Sequence, residues 1–203
     1  QPTFDAINTY FVSRAVREAG VTVALAGTGG DELFGGYRSF HDIPTARRYA
    51  RAVSGAPASI RGRLARTVTR WKTGKPGGVP PQTRWGKLED ALSTRGDLLA
   101  LYQASYSLFT RRFSRELHEP QCNGRLRCGL PADTAEQLSR EQIKGRDLAT
   151  VSRFEQRLFL GERLLRDTDA ASMATALEVR VPLVDHRLVD RVERLDDDAR
   201  FLP

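Results

Sequence analysis

The stretch VALAGTGGDELFGGY, residues 23–37, decides the fold prediction for this chain. Five glycines and an acidic pair follow directly on a run of small and branched apolar residues. The run VTVALAG, residues 21–27, is typical of a buried parallel strand. INTYFVSRAVREAG, residues 7–20, has helical spacing before it and ends at a glycine. Four apolar residues share one stripe of this predicted helix: Ile7, Phe11, Ala15 and Val16. Helix, strand, glycine loop and helix start together predict one slice of an α/β doubly wound parallel sheet, with ligands at the carboxyl edge.

The glycine loop itself has two explanations. Glycines at 27, 29 and 30 let backbone N–H groups approach a phosphate closely, and the helix that starts after them adds a favourable positive field. Asp31 either caps that helix or holds Mg²⁺ beside the phosphates, because hard oxygen ligands suit this ion. The stretch has neither the Gly-x-Gly-x-x-Gly dinucleotide pattern nor the Lys-Ser/Thr of the common nucleotide loop. The residues alone leave a simple turn and a phosphate loop equally open.

A second cluster, LLRDTDAASMATALEVRVPLVDHRLVD at residues 164–190, sets charges among apolar residues. Buried charges are costly unless they are paired, so ion pairs that brace the turn at Pro182 are one explanation. The other explanation places Glu178 on a substrate amine or makes it a proton acceptor. The residues alone slightly favour the ion pairs.

Composition excludes several classes of protein. The 203 residues carry a net charge of +7, and their 32 basic residues are nearly all arginine. The most basic segment, residues 51–75, has arginines on more than one helical face, so we expect no nucleic-acid partner. No apolar run reaches the roughly 20 residues of a spanning helix, and we expect no membrane partner. Cys122 and Cys128 lack nearby metal-ligand partners, so we expect reduced thiols and a cytoplasmic location.

The rest of the chain has the pattern of a predominantly helical protein. We predict a helix from Pro44, a break at residues 54–59, and a second helix to about Trp71. A linker at residues 75–82, two helices within residues 88–117 and a loop at residues 119–131 follow. The last long helix starts near Leu148. Its predicted inward residues are Val151, Phe154, Leu158 and Leu165. The VRVP turn at residues 179–182 then separates two helical patterns, and no second strand is predicted.

Three blocks of the sequence closely resemble the C-terminal synthetase domain of the glutamine-dependent asparagine synthetase family. They are QPTFDAINTYFVSRAVREAG, AGTGGDELFGGY and LLRDTDAASMATALEVRVPLVDHRLVD. The middle block matches the family pattern Ser-Gly-x-Gly-Gly/Ser-Asp-Glu-x-Phe-Gly-Gly-Tyr at nearly every position. The last block carries Ser-Met-Ala and then Glu-x-Arg-x-Pro-Leu-x-Asp. The resemblance implies that residues 1–203 are part of this domain, with a helical insert-like region at residues 41–146.

The resemblance also implies a fold of the ATP-pyrophosphatase type, similar to adenine nucleotide alpha hydrolases, and a two-step reaction. ATP adenylates the side-chain carboxylate of aspartate to β-aspartyl-AMP, pyrophosphate leaves, and ammonia from glutamine displaces AMP. The positions that match the family pattern imply nucleotide contacts at Ala26, Gly27, Thr28, Gly29 and Gly30, Mg²⁺ at Asp31, substrate contacts at Thr3 and Asp5, and a catalytic role in the substrate cleft for Glu178.

Some features depart from the family pattern. Ala26 stands where the family usually has serine, and Thr28 stands where several relatives have glutamate. The Ser-Gly-Gly-x-Asp-Ser pyrophosphate loop, a downstream lysine and the N-terminal cysteine glutaminase domain are not in the sequence. We therefore expect a fragment that is inactive alone, from an enzyme whose partners are ATP, aspartate, ammonia and a glutaminase domain. A homodimer is left open.

Three alternative functions stay open at this point. The first is an amidotransferase that acts on another carboxylate, such as a uronic-acid sugar. The second is a ring closure of the β-lactam synthetase kind. The third is a helical scaffold that keeps the fold without the chemistry.

Overall fold

The computed structural model describes residues 3–74, 85–117 and 125–201. The predicted linker at residues 75–82 and Cys122 lie outside these ranges. The described residues form a mostly helical α/β structure with a small parallel sheet. Within them, no helix combines the length and the apolar content that crossing a bilayer requires. The elements in chain order are α1 (Asp5–Glu18), β1 (Val23–Leu25), α2 (Gly30–Phe34), α3 (Ser39–Ala52), α4 (Ala58–Thr73), α5 (Leu88–Ser93), α6 (Leu98–Tyr106), α7 (Arg111–Leu117), β2 (Leu126–Arg127), β3 (Leu130–Pro131), α8 (Ala132–Arg140), α9 (Asp147–Phe154), a π-helix (Glu155–Leu164), α10 (Leu165–Met173), β4 (Glu178–Arg180), a 3₁₀ turn (Pro182–Val184), α11 (His186–Glu193) and α12 (Asp197–Arg200).

Two compact units divide the chain: Gln1–Tyr37 with Ser152–Pro203, and Arg38–Val151. The first unit contains the parallel sheet. Strand β1 pairs with β4, and Val23, Ala24 and Leu25 lie opposite residues 178, 179 and 180. The prediction of a parallel strand after α1 is confirmed. The prediction that no second strand exists is wrong. Strand β4 is only three residues long and two of them are charged, so no local apolar pattern indicates it and only its pairing with β1 reveals it.

The predicted inward stripe of α1 is also wrong. Ile7 and Phe11 are 59% and 53% exposed, whereas the buried residues of this helix are Ala6 and Ser13. Helix α1 packs on α10, and its small side chains allow a close approach between the two backbones. On β1, likewise, Leu25 is 76% exposed, so one face of the predicted buried strand is open.

The long helix predicted from about Leu148 is present and runs through α9, the π-helix and α10. Val151 and Phe154 are fully buried, as predicted. Leu158 and Leu165 are only half-buried, and Leu160 is buried instead. The cause is the π-helix, because its wider hydrogen-bonded rings move the inward positions away from those of an α-helix.

The second unit is built on α6, whose apolar residues are nearly all buried. The Asp97 carboxylate caps this helix by accepting a hydrogen bond from the backbone N–H of Ala100 at 2.7 Å. The predicted break after α3 and the helix to about Trp71 are confirmed. Residues 88–117 form three helices rather than the predicted two. Strands β2 and β3 pair as a short hairpin within the predicted loop. Residues 41–146 lie inside this unit, and their origin as an insert stays a prediction.

Candidate active site

The glycine loop leaves β1 at the carboxyl end of the parallel sheet. The backbone N–H of Ala26 donates to the Arg180 carbonyl at 2.9 Å and continues the pairing of β1 with β4. The chain then turns, and the N–H of Gly30 donates to the Gly27 carbonyl at 3.1 Å. Helix α2 begins directly after this turn. The loop therefore lies where parallel sheets bind their ligands.

Gly29 meets two structural demands of this turn. Its φ of 101° lies in the left-handed region, which side chains with a Cβ rarely adopt. A Cβ on Gly29 would also lie 2.8 Å from Val184 Cγ1. A Cβ on Gly30 would lie 3.1 Å from Leu183 Cδ1, whereas one on Gly27 would meet no described atom within 4 Å. The 3₁₀ turn after β4 therefore contacts the loop at Gly29 and Gly30, whereas the Cβ position of Gly27 lies in open space.

Asp31 lies in the first turn of α2 with an exposed side chain. Its carboxylate occupies the place that a side chain on Gly36 would take, because a Cβ there would lie 2.7 Å from Asp31 Cγ. Across the described ranges, no three His, Cys, Asp or Glu side chains come together as a metal site. Asp31 thus offers a single carboxylate. That fits Mg²⁺ if a nucleotide supplies phosphate oxygens, since this ion usually binds to one or two carboxylates together with phosphates and water.

A buried polar network holds α2 in place. Ser152 Oγ donates to the Glu32 carbonyl at 2.6 Å, and Arg200 Nε donates to the Leu33 carbonyl at 2.7 Å. Arg200 also donates from Nη2 to Ser152 Oγ at 2.5 Å. Glu32, Ser152 and Arg200 are all buried. These bonds satisfy the carbonyls of a short helix that could not be stable alone, and they thereby position the loop before it.

Tyr37 follows the C-terminal end of α2 and contacts Glu32 within that helix. Its phenol donates to Glu32 Oε1 at 2.8 Å. Burial and this hydrogen bond to Glu32 raise the pKa of Tyr37 far above its usual value, because both disfavour the phenolate. Tyr37 therefore keeps its proton and continues to donate to Glu32 in neutral and mildly alkaline solution.

The predicted substrate residues Thr3 and Asp5 contact the helical segment that ends in α10. Asp167 is buried and accepts the backbone N–H of Thr3 at 2.8 Å as well as its hydroxyl. Asp5 forms an ion pair with Arg163. The Arg163 guanidinium also lies over the Phe4 ring, at 5.0 Å from its centroid. Asp167 and Arg163 thus position the start of α1.

Glu178 lies in the strand that pairs with β1. It is the first residue of β4 and pairs with Val23, three residues before Ala26. Its carboxylate accepts a hydrogen bond from Arg180 Nε at 2.7 Å, and both side chains are more than half exposed. The structure brings the five loop residues and Asp31 together. The catalytic role of Glu178 stays a prediction.

The asparagine synthase family model matches residues 3–203. The chain belongs to this family. Asparagine synthetase (glutamine-hydrolyzing) 1 of Bacillus subtilis (strain 168) is 26% identical over 200 residues, which cover 96% of this chain and 28% of that protein. A probable asparagine synthetase (glutamine-hydrolyzing) of Dictyostelium discoideum is 48% identical over 40 residues, 20% of this chain and 7% of that protein. No solved structure matches the chain.

The match to the asparagine synthase family confirms the resemblance that the three sequence blocks indicate. Of the residues that support the site, the sequence does not single out Ser152, Arg163 and Arg200, whereas Asp167 belongs to the charged cluster at residues 164–190. One signal was available, since residues 163 and 167 are four apart and therefore share one face of a helix. Ser152 and Arg200 carry no local signal, because their partners in α2 are more than one hundred residues away.

The support beneath the loop predicts a difference between two glycines. Gly29→Ala should lower the free energy of unfolding by about 2–4 kcal/mol, because it combines a left-handed backbone with overpacking against Val184. Gly27→Ala should change that free energy by less than about 1 kcal/mol, because its Cβ meets open space. Urea unfolding followed by circular dichroism measures both. Equal losses for the two variants would contradict the described loop.

The bond from Tyr37 to Glu32 predicts a loss of stability that depends on pH. At pH 7, Tyr37→Phe should cost about 1–3 kcal/mol, because the buried Glu32 carboxylate loses a donor. Because the folded pKa is raised, the wild-type advantage is complete below pH 10 and decreases as the pH rises above that value. Urea unfolding at several pH values tests this. The control is Tyr49→Phe, since Tyr49 is 66% exposed and should show no such effect.

Proposed function

We propose that this chain is part of an ATP-dependent amide-forming ligase that converts aspartate to asparagine with ammonia from glutamine. The proposal rests on the glycine loop of this chain, which belongs to the asparagine synthase family. The loop lies at the carboxyl end of β1, and the turn at Leu183 and Val184 supports it. A glycine backbone open at Gly27, next to a helix start and the exposed Asp31 carboxylate, suits phosphates and Mg²⁺.

In the proposed reaction, an oxygen of the aspartate side-chain carboxylate attacks the α-phosphorus of ATP. The bond to pyrophosphate breaks and β-aspartyl-AMP forms. The nitrogen of ammonia then attacks the acyl carbon, AMP leaves with the bonding electrons, and the nitrogen loses a proton. The loop from Ala26 to Gly30 would hold the nucleotide, and Asp31 would contribute one ligand to Mg²⁺. Charge that builds up on the phosphates is stabilised by such fixed donors and by the ion.

The proposal extends to parts of the protein beyond the described site. The two-stranded parallel sheet would belong to a larger doubly wound sheet of the ATP-pyrophosphatase type. A glutaminase domain of the whole protein would supply ammonia, and the enzyme would work in the cytoplasm. The chain spans 28% of the length of the Bacillus relative. These features of the whole protein are tested only with the product of its complete gene.

Formation of AMP tests the proposal. The complete gene product is incubated with Mg-ATP, glutamine and one carboxylate at a time, and AMP and the amide product are measured by chromatography. We expect both products with aspartate and neither without a carboxylate. AMP with a uronic-acid sugar instead of aspartate would keep the ligase chemistry but overturn the aspartate assignment. A protein that forms no AMP with any of these acceptors would support the scaffold alternative.

A further inference from the structure

Helix α4 in the second unit has an unusual charge composition. Its 16 residues, ASIRGRLARTVTRWKT, include five cations and no acidic residue. One side of the helix is buried through Arg61, Gly62 and Ala65. Arg61 belongs to that packed side, since its guanidinium donates to the Ala56 carbonyl at 2.6 Å. The other four cations, Arg63, Arg66, Arg70 and Lys72, are exposed.

The outer side of α4 also carries an apolar stripe. Ile60, Leu64 and Trp71 are 52%, 43% and 77% exposed, and Val68 is half-buried. At 3.6 residues per turn, these four residues fall within an arc of about 80° around the helix axis. The helix is about 24 Å long at 1.5 Å per residue. Exposure of large apolar side chains along one face of such a helix indicates a surface that contacts something else.

The exposed cations border the apolar stripe mainly on one side. Arg63 and Arg70 are seven residues apart and flank it there. Lys72 lies in the last turn at the angular position of the packed side, where it is exposed and its ammonium is 4.7 Å from the centroid of the Trp71 ring. Arg66 lies further round and forms an ion pair with Glu89 at 3.5 Å, in which both side chains are more than half exposed. Such an exposed pair is weak, so it leaves the positive field of this face largely in place.

We propose that this α4 face, formed by Ile60, Leu64, Trp71 and their flanking cations, binds the surface of an anionic lipid bilayer. A helix with an apolar stripe that contains a tryptophan, and with arginines and lysine beside it, lies in the plane of a membrane interface. The apolar residues enter the boundary between headgroups and acyl chains, and the cations contact anionic headgroups. The absence of acidic residues from the helix provides the charge complementarity that such a surface requires.

Other partners fit this face less well. A nucleic acid would contact the cations, but the centre of the face is an apolar stripe and Trp71 is its single aromatic side chain. A second copy of the chain would bring its own cations against these, and like charges repel. The proposal revises the expectation from sequence that the chain has no membrane partner. It concerns peripheral attachment only, and it is independent of the proposed ligase activity.

Vesicle flotation tests the proposal with the 203-residue chain. The vesicles are phosphatidylcholine alone and phosphatidylcholine mixed with phosphatidylglycerol, each at low and high NaCl. One variant, Arg63→Glu with Arg70→Glu, reverses the flanking charge. Its control is Arg191→Glu with Arg194→Glu, which makes the same change in net charge at the C-terminal end of α11. A second variant, Leu64→Ser with Trp71→Ser, removes the stripe, and its control is Ile7→Ser with Phe11→Ser on α1. All of these residues are exposed, and circular dichroism checks that each variant folds.

We expect the wild-type chain to float only with the anionic vesicles and less so at high salt. At roughly 1 kcal/mol for each basic residue near the surface, the charge reversal should weaken binding at least tenfold, and loss of the stripe should weaken it comparably. The two controls should bind as the wild type does. In a Trp85→Phe background, Trp71 fluorescence should shift to shorter wavelength on binding. Four results would each overturn the proposal. The first two are no flotation at all and equal losses of binding in variants and controls. The other two are duplex DNA binding that the charge reversal abolishes while no flotation occurs, and a dimer that only the stripe variant disrupts.

Discussion

Asp31→Asn is expected to reduce the rate of AMP formation by the complete gene product at least a hundredfold. Removal of one preorganised electrostatic contact to a transition state typically slows a reaction by this factor. The substitution keeps the shape of the side chain and removes the negative charge that would hold Mg²⁺ at the phosphates. Because Asp31 is exposed and Gly36 leaves room for its side chain, the fold should be unaffected. The rate of AMP release under saturating Mg-ATP and aspartate measures the effect.

The matched control for this experiment is Asp198→Asn, an exposed carboxylate in α12. It should form AMP at the wild-type rate. Raising the Mg²⁺ concentration should recover part of the activity of Asp31→Asn if the lost contact is to the ion. An Asp31→Asn enzyme with full activity would show that this carboxylate takes no part in the reaction.

Arg200→Ala is expected to be strongly destabilising, with a loss of about 3–5 kcal/mol in the free energy of unfolding. Arg200 is 2% exposed and donates to both the Leu33 carbonyl and Ser152 Oγ. Truncation removes the side-chain donor to the Leu33 carbonyl and opens a cavity beside α2, while Ser152 Oγ keeps its bond from Gln156 Nε2 at 3.0 Å. Urea unfolding followed by circular dichroism measures the loss.

Two comparison variants separate this network from a general effect of losing an arginine. Arg194→Ala removes an exposed side chain and should change the free energy of unfolding by less than about 0.5 kcal/mol. Ser152→Ala removes the hydroxyl that joins Arg200 to the Glu32 carbonyl, and it should cost about 1–3 kcal/mol. A stable Arg200→Ala protein would mean that α2 is held by other contacts.

The sequence predicts local structure well and distant pairing poorly in this chain. Apolar runs and glycine stops indicate β1 and the end of α1, because both signals lie within a few neighbouring residues. Strand β4 is three residues long and forms only against β1, so no local pattern predicts it. The apolar spacing of α1 indicates a buried stripe, but the helix packs through Ala6 and Ser13 instead.

The same division holds for the candidate site. The left-handed turn at Gly29 and the place of Asp31 at a helix start can be predicted, because both follow from the local sequence. The supporting contacts from Asp167 to Thr3 and from Arg200 to Leu33 join residues 164 and 167 positions apart. Such pairs depend on packing of the whole unit. The π-helix is likewise absent from the apolar pattern, which follows α-helical spacing up to Phe154.

Titration of Mg-ATP into the complete gene product is the most direct test of the central claim that the loop from Ala26 to Gly30, with Asp31, is a nucleotide site. Calorimetry with the wild type, Asp31→Asn and Asp198→Asn is performed with Mg²⁺ and with EDTA. We expect the wild type and Asp198→Asn to bind Mg-ATP. Binding should weaken at least tenfold in Asp31→Asn and also on removal of Mg²⁺, because both changes remove a metal contact. Binding of equal strength in all three proteins, or no binding by a folded wild type, would show that this loop is not the nucleotide site.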